Sequence, residues 1–200
     1  NLGLLKKNVV LSLNRPPGHH AGSANCAGYC YINNAALAAT KLASHGRVSI
    51  LDIDYHAGNG TQQIFYENFN IDVCSIHADP SNEYPYFAGF ASETGAGAGI
   101  GHHHNVPLPH GTQPHIYTQA LMRSLDWLSK SGPSMLVLSA GFDTYRKDPL
   151  GSFQLETDSY FEIGKSIAQL GIPILVILEG GYYIPDLPQN LLALAHGLTD

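Results

Sequence analysis

The feature that most constrains the fold is a set of short apolar segments that alternate with helical patterns. Residues 48–51, 135–139 and 174–178 read VSIL, MLVLS and ILVIL, and each run leads into a turn that contains glycine. Strands whose apolar residues run on, instead of alternating with polar ones, are typical of a parallel sheet buried on both faces. We therefore expect an α/β fold with three layers, in which helices cover both faces of a mainly parallel sheet.

The other elements follow from the same patterns. Ala and Leu at helical spacing predict a helix over residues 32–45 that stops at Gly46, and Thr61 is expected to act as the N-cap of the next helix, over residues 61–68. The length of 200 residues, 44% of them hydrophobic, suits a single domain over residues 1–200. Further strands are predicted at residues 7–13 (buried), 71–77 and 105–108, and further helices at residues 116–130, 157–170 and 187–198.

The amino-acid composition argues against some classes of partner and favours one cellular compartment. The formal net charge of -6 disfavours nucleic acid as a partner. No apolar segment reaches the roughly 20 residues of a membrane span, and the first residues lack a signal-peptide layout. The three cysteines form no C-x-x-C motif and no disulfide framework, which favours a reducing compartment, so we expect a cytoplasmic protein without a membrane partner. The chain begins without Met, shortly before a strand, and is expected to be an N-terminally truncated piece of a longer protein.

Chemically active side chains follow four of the predicted strands. In a parallel sheet the carboxyl ends of the strands lie at one edge, so residues far apart in sequence meet in one crevice. We therefore expect one site to contain His19 and His20 after the first strand, Asp52, Asp54 and His56 after the second, and Asp143 and Tyr182 after the last two.

Two carboxylates and one imidazole suit a catalytic Zn²⁺ ion, which takes three protein ligands and leaves one position for water or substrate. Asp54, His56 and Asp143 would supply these ligands. A neighbouring histidine, His19 or His20, would move the proton, and a tyrosine hydroxyl on the Gly-Gly turn would donate to the oxyanion of a tetrahedral intermediate.

Each of these residues also has an ordinary structural interpretation. A D-x-D-x-H sequence at a strand end is more often a hydrogen-bonded turn than a metal site, and adjacent histidines on a Pro-Gly loop are often simply solvated. Asp143 could cap the following turn, and Tyr183 is as good a candidate as Tyr182. The run His102-His103-His104 has no carboxylate nearby in sequence and is interpreted as exposed or as loop packing. The coincidence at four strand ends favours the site.

Six motifs, in order along nearly the whole chain, resemble the zinc-dependent histone deacetylase and acetylpolyamine amidohydrolase superfamily, which has the arginase-like α/β fold. The RPPGHH, GNGTQ and EGGY forms resemble its class II and bacterial branch. The motifs are RPPGHHA (residues 15–21), GYCYINNA (28–35), DIDYHAGNGTQ (52–62), SIH (75–77), SAGFD (139–143) and EGGY (179–182).

The resemblance implies roles for the residues of the site. It places zinc on Asp54, His56 and Asp143, in agreement with the ligand chemistry. It also makes His20 the general base and acid, His19 its electrostatic partner and Tyr182 the donor that polarises the carbonyl. Asp52 would orient His19, and Asn59 would stand behind His20, where other members have Asp, so His20 should be less basic than in those members.

The resemblance further implies a potassium ion and a substrate channel. Potassium would be held by the Asp52 side chain, the Ser75 hydroxyl and the backbone carbonyls of Asp52, Asp54, His56 and Ile76. Gly28, Tyr29 and Tyr84 would line the channel. Two departures stand out: Ala57 replaces a histidine that is common in relatives, and the N-terminal region that carries two further strands and the channel rim is missing.

We therefore expect a zinc amidohydrolase that removes an acetyl group from a small acetylated amine, either acetylpolyamine or acetyl-lysine, by attack of metal-activated water. The alternative is a non-catalytic module that keeps the fold and the metal and binds acylated ligands or a protein partner. A manganese enzyme of the arginase kind is a third hypothesis, although a two-metal site needs more carboxylates than this set contains. A homo-oligomer is compatible with the sequence.

Overall fold

A computed structural model describes residues 9–200 of the chain, so residues 7 and 8 of the first predicted strand lie outside the described residues. The strands are β1 (Val9–Ser12), β2 (Val48–Asp52), β3 (Ile71–Ala78), β4 (His103–Leu108), β5 (Met135–Ala140) and β6 (Ile174–Leu178). The helices are α1 (Asn34–Leu42), α2 (Asn59–Phe65), α3 (Pro114–Ser129), α4 (Thr157–Ala168) and α5 (Leu187–Thr199). None of these helices is both long enough and apolar enough to span a membrane.

The strands form one sheet in the order β1-β6-β5-β2-β3-β4, and all neighbouring strands are parallel. The central strand β2 lies between β5 and β3, and its last residue, Asp52, is level with Ser139 on one side and Ser75 on the other. The loops that follow β2, β5 and β6 therefore leave the same edge of the sheet next to one another.

Two apolar cores lie on opposite faces of the sheet. Leu51, Leu138 and Val176 point into the larger core, which contains residues of α3, α4 and α5. Their neighbours Ile50 and Val137 point into the smaller core, which is closed by α1 and α2. Alternate side chains of the same strands are thus buried on both faces, which is why the strand sequences are continuously apolar. The predicted α/β fold with helices on both faces is confirmed.

Three local predictions were wrong. Strand β1 is not buried: within residues 9–200 it lies at the edge of the sheet, and Val10 and Leu11 are partly exposed. Apolar composition does not distinguish an edge strand from a central one. Thr61 is not an N-cap, since α2 already begins at Asn59 and the Thr61 hydroxyl accepts a hydrogen bond from Asn33 inside the protein.

The histidine run also differs from its interpretation as exposed or loop residues. Strand β4 begins at His103, two residues earlier than predicted, and His103 is buried with its Nε2 donating to the carbonyl of Phe65. His104 stacks on Trp127, and His102 bonds to Asp72. A carboxylate is therefore close in space, although none is close in sequence.

Candidate active site

Asp54, His56 and Asp143 meet at the carboxyl edge of the sheet, as the strand ends predict. One potential ligand atom from each residue lies within 4.8 Å of the others. The Nδ1 atom of His56 is 3.3 Å from Oδ1 of Asp54 and 3.1 Å from Oδ2 of Asp143. Among the described residues this is the group that combines carboxylate and imidazole atoms at metal-binding spacing.

Backbone groups hold the two carboxylates in place. The amide of Gly180 donates to Oδ2 of Asp54 over 2.8 Å, and the amide of Tyr55 donates to Oδ1 of Asp143 over 2.9 Å. A Cβ atom at Gly180 would collide with both carboxylates, and one at Gly141 would collide with Asp54. The glycines after β5 and β6 therefore let the backbone approach the acids closely enough to leave room for an ion between them.

The surroundings strongly shift the pKa values of Asp143 and His56. Burial and the adjacent charge of Asp54 raise the pKa of Asp143 to about 7. Burial lowers the pKa of His56, but hydrogen bonds to Asp143 and Asp54 outweigh it and raise the value to about 10. Two buried carboxylates thus retain a proton on the imidazole that lies between them. A divalent cation could replace that proton, so the donor set fits a metal ion.

His19 lies beside the same group and is tied to Asp52. Its Nδ1 is 2.9 Å from Oδ2 of Asp52, and its Nε2 is 3.7 Å from Oδ1 of Asp54. Burial lowers the pKa of His19, but the charges of Asp54 and Asp52 outweigh it and raise the pKa well above its ordinary value. His19 is therefore a buried cation, and Asp52 is its counterion.

His20 lies next to His19 and behaves in the opposite way. The two rings are 4.0 Å apart, and Nδ1 of His20 lies 2.7 Å from Oδ1 of Asn59, the first residue of α2. An amide oxygen can only accept, so Nδ1 carries the hydrogen and Nε2 is left free. Burial and the charge of His19 lower the pKa of His20 well below its ordinary value. His20 is therefore neutral and able to accept a proton at Nε2.

Glu179 holds the loop that carries His19 and His20, a role that the sequence did not predict. It is fully buried, and its Oε2 accepts the backbone N–H groups of Gly18 at 2.7 Å and His19 at 3.1 Å. Burial raises its pKa to about 7. Its place in the EGGY motif was the available signal, but the motif drew attention only to the tyrosine.

Tyr182 reaches the site from the turn after β6. The amides of Tyr182 and Tyr183 both donate to Oδ2 of Asp148, at 2.6 and 3.1 Å, and the amide of Leu150 donates to Oδ1 of the same residue at 2.9 Å. Burial and the charges of Asp54 and Asp143 raise the pKa of Tyr182. No sequence pattern pointed to Asp148, which lies in the loop after Asp143.

Of the residues described so far, His20, His56 and Tyr182 open onto one cleft of about 410 Å³. The Tyr84 ring is 4.9 Å from that of His20, and the Tyr29 ring is 6.0 Å from that of Tyr182. Gly28 lies against the His20 ring, where a Cβ atom would collide with the imidazole. The residues that line the cleft are His20, Gly28, Tyr29, His56, Glu83, Tyr84, Leu150 and Tyr182.

Asp52 and Ser75, two of the residues expected to hold potassium, lie on the neighbouring strands β2 and β3. Ser75 is level with Asp52 on the neighbouring strand, and its hydroxyl is 2.6 Å from Nδ1 of His77. Nε2 of His77 is 2.8 Å from the carbonyl of Gly89 and must carry the hydrogen of that contact. Burial lowers the pKa of His77 to about 4, so Nδ1 accepts from Ser75 and the oxygen lone pairs of Ser75 remain free.

Comparisons with known proteins show which family the chain belongs to. The family model of the histone deacetylase domain matches residues 3–198. The chain is 44% identical to acetylpolyamine amidohydrolase of Mycoplana ramosa, over 96% of this chain and 57% of that protein. It is 46% identical to acetylpolyamine amidohydrolase 1 of Pseudomonas aeruginosa, over 94% of this chain and 55% of that protein. The chain thus spans little more than half the length of these curated relatives.

Solved structures show the same similarity. The crystal structure of acetylpolyamine aminohydrolase from Burkholderia pseudomallei superimposes with a TM-score of 0.93 at 42% identity and covers 95% of this chain and 56% of that one. The HDA15 HD domain gives a TM-score of 0.87 at 37% identity, covering 92% of this chain and 54% of that one. The resemblance inferred from the motifs is confirmed. This chain belongs to the histone deacetylase domain family.

Proposed function

We propose that this chain carries the catalytic centre of a zinc-dependent deacetylase, which hydrolyses the amide bond of an acetylated amine. The observation that supports this proposal best is that His56 belongs both to the cluster it forms with Asp54 and Asp143 and to the cleft that it shares with the imidazole of His20. The relatives named acetylpolyamine amidohydrolase support the same class of substrate.

Asp54, His56 and Asp143 would hold the zinc ion. Carboxylate and imidazole are ordinary zinc ligands, and three protein ligands are typical of a catalytic site. A bound zinc ion supplies Lewis acidity, which polarises the amide carbonyl and lowers the pKa of water. The rest of the chemistry falls to the side chains around it.

His20 is proposed as the group that moves the proton. Because Asn59 fixes the hydrogen on Nδ1, the free Nε2 can take a proton from the attacking water and return it to the nitrogen of the leaving amine. The positive charge of His19, next to His20, keeps His20 from holding a proton before the reaction starts.

Tyr182 is proposed as the oxyanion donor. Its raised pKa keeps the hydroxyl protonated through the neutral range, so that it can donate to the carbonyl oxygen as negative charge develops there. Gly180 and Gly181 allow the turn that carries it to pass close to Asp54 and Phe142.

A potassium ion would be held by Asp52, the Ser75 hydroxyl and the backbone carbonyls of Asp52, Asp54, His56 and Ile76. The free lone pairs of Ser75 support this assignment, since its hydrogen is directed to His77. The ion would fix the turn between β2 and α2, which carries two of the zinc ligands.

The experiment combines hydrolysis and metal content. His20→Ala and Tyr182→Phe should each lose hydrolysis of an acetyl-lysine fluorogenic substrate and of an acetylpolyamine while retaining one zinc ion per chain. Tyr183→Phe is the matched control, because Tyr183 packs on Tyr145 and does not line the cleft. Unchanged rates in Tyr182→Phe would contradict the assigned role. Complete inactivity of a folded, zinc-loaded wild-type sample would favour a module that only binds acylated ligands.

A further inference from the structure

Glu83 is a carboxylate on the wall of the cleft to which the proposed reaction gives no role. It lies on the loop after β3, directly before Tyr84, and shares the cleft with His20, His56 and Tyr182. Among the described residues that line the cleft, none is Lys or Arg. A divalent ion would offset the charges of Asp54 and Asp143, so Glu83 would then be the formal charge left on the cleft wall.

Hydrogen bonds hold the Glu83 carboxylate in place but do not occupy all of its acceptor positions. Its Oε1 accepts the amide of Tyr84 at 3.0 Å, and its Oε2 accepts the hydroxyl of Tyr55 at 3.1 Å. The side chain is 21% exposed, and Nε2 of His110 approaches Oε2 only to 3.5 Å. A carboxylate offers about four acceptor positions, so Glu83 can accept further donors from the cleft.

Tyr29 and Tyr84 line the cleft together with Glu83, and Tyr86 lies next to Tyr84. Tyr29 and Tyr86 are the non-glycine residues with positive φ among the described residues, at 66° and 64°. Such conformations are unfavourable for residues with a Cβ atom and cluster at active sites and ligand-binding sites. The Tyr86 ring lies 6.4 Å from that of Tyr84, and the Tyr29 and Tyr86 side chains are exposed. Aromatic faces next to a carboxylate attract organic ammonium groups.

We infer that Glu83, with the rings of Tyr29, Tyr84 and Tyr86, forms a subsite for an ammonium group that the substrate carries in addition to its acetylated nitrogen. The favoured substrate is then a monoacetylated diamine or polyamine, whose free cation binds at Glu83 while the amide lies between His20 and Tyr182. This inference rests on the proposed function and assigns a residue that selects the substrate.

The test compares two amides of equal length, N-acetylputrescine and N-pentylacetamide, which differ by an ammonium group in place of a methyl group. In Glu83→Gln, kcat/KM for N-acetylputrescine should fall about ten-fold, mainly through KM, as expected for one lost charge-assisted hydrogen bond. The value for N-pentylacetamide should change less than two-fold. Glu162→Gln, an exposed acid on α4, is the matched control and should leave both values unchanged.

Equal losses on both amides would overturn the inference, because Glu83 would then only support the loop. Unchanged kcat/KM values for both amides would mean that the ammonium group of the substrate binds elsewhere. Calorimetric binding of both amides to zinc-loaded Tyr182→Phe and to its Glu83→Gln double variant gives a second readout. If the wild type hydrolyses neither these amides nor the acetyl-lysine substrate, the proposed function fails, whereas a loss of affinity confined to N-acetylputrescine would still support the subsite.

Discussion

Nδ1 of His20 donates a hydrogen bond to the amide oxygen of Asn59 over 2.7 Å, at the first turn of α2. The contact fixes the tautomer of the imidazole without supplying a negative charge. Burial and the adjacent cation His19 therefore lower the pKa of His20 with no carboxylate to oppose them directly behind the ring.

Asn59→Asp should raise the pKa of His20, because a carboxylate at this distance stabilises the imidazolium. The acid limb of the pH profile of kcat/KM should move upward by about one pH unit or more, since His20 must be neutral to act as a base. Asn70→Asp, which adds the same charge at an exposed position just before β3, is the comparison variant. A profile that does not move in Asn59→Asp would mean that another group sets the acid limb.

Asp148 should act as a positioning residue for Tyr182. Asp148→Asn keeps the size of the side chain but replaces one acceptor oxygen with a donor, so either the Tyr182–Tyr183 amides or the Leu150 amide lose their partner. We expect the free energy of unfolding to fall by about 2 kcal/mol and kcat to fall about ten-fold, with KM nearly unchanged.

Thermal melting and steady-state kinetics measure the two effects of Asp148→Asn separately. If the residue only stabilised the fold, kcat per folded molecule would equal that of the wild type. Asp158→Asn, an acid in the first turn of α4, is a suitable control.

Zinc should stabilise the folded chain through Asp54, His56 and Asp143. At a free zinc concentration about 100 times the Kd, the gain is about 2.7 kcal/mol, equivalent to a rise in Tm of about 5–10 °C for a chain of this size. Chelation should reverse the rise. The gain should shrink at lower pH, because the carboxylates and the imidazole must lose their protons to bind the ion.

Asp54→Asn should abolish the zinc-dependent rise in Tm, whatever its effect on the melting temperature without zinc. Asp126→Asn, at an exposed ion pair with Lys130, should keep the full rise. An equal rise in Asp54→Asn and the wild type would place the ion outside the proposed ligands.

The grouping of Asp54, His56 and Asp143 could be predicted from sequence, because parallel strands bring their carboxyl ends to one edge of the sheet, whatever their separation in the chain. The residue at which α2 begins could not be predicted from sequence. Thr61 has the side chain of a good N-cap, yet the helix begins two residues earlier, which lets Asn59 point at His20 and lets Gly60 approach the backbone of His20 and Ala21. This tertiary contact outweighs local capping preference.

Residues that act by accepting hydrogen bonds from the backbone could not be identified from the sequence either. Asp148 lies in a loop with no repeating pattern, and its partners Tyr182 and Tyr183 are more than 30 residues away. The position of β1 could not be predicted either, since Val9–Ser12 has the composition of a central strand and only the strand order places it at the edge of the sheet formed by residues 9–200.

The ion pair at the opposite end of the sheet predicts how stability depends on pH. Arg47 holds Asp72 through two hydrogen bonds of 3.1 Å, and Nδ1 of His102 lies 2.7 Å from the same carboxylate. Burial alone raises the pKa of Asp72, but the hydrogen bonds from Arg47 and His102 outweigh it, and the pKa lies below its ordinary value. The unfolded chain therefore binds more protons at this residue than the folded chain does.

The stabilisation from Asp72 should be fully present above its unfolded pKa of about 4 and should be lost as the pH falls through the lower folded value. We expect Asp72→Asn to reduce the free energy of unfolding by about 1–2 kcal/mol at pH 7 and to lack that part of the acid dependence. Urea titrations of both proteins between pH 7 and pH 2.5 measure the difference, with Asp126→Asn as the control. Parallel stability curves for Asp72→Asn and the wild type would show that the carboxylate has the same pKa in the folded and unfolded chain.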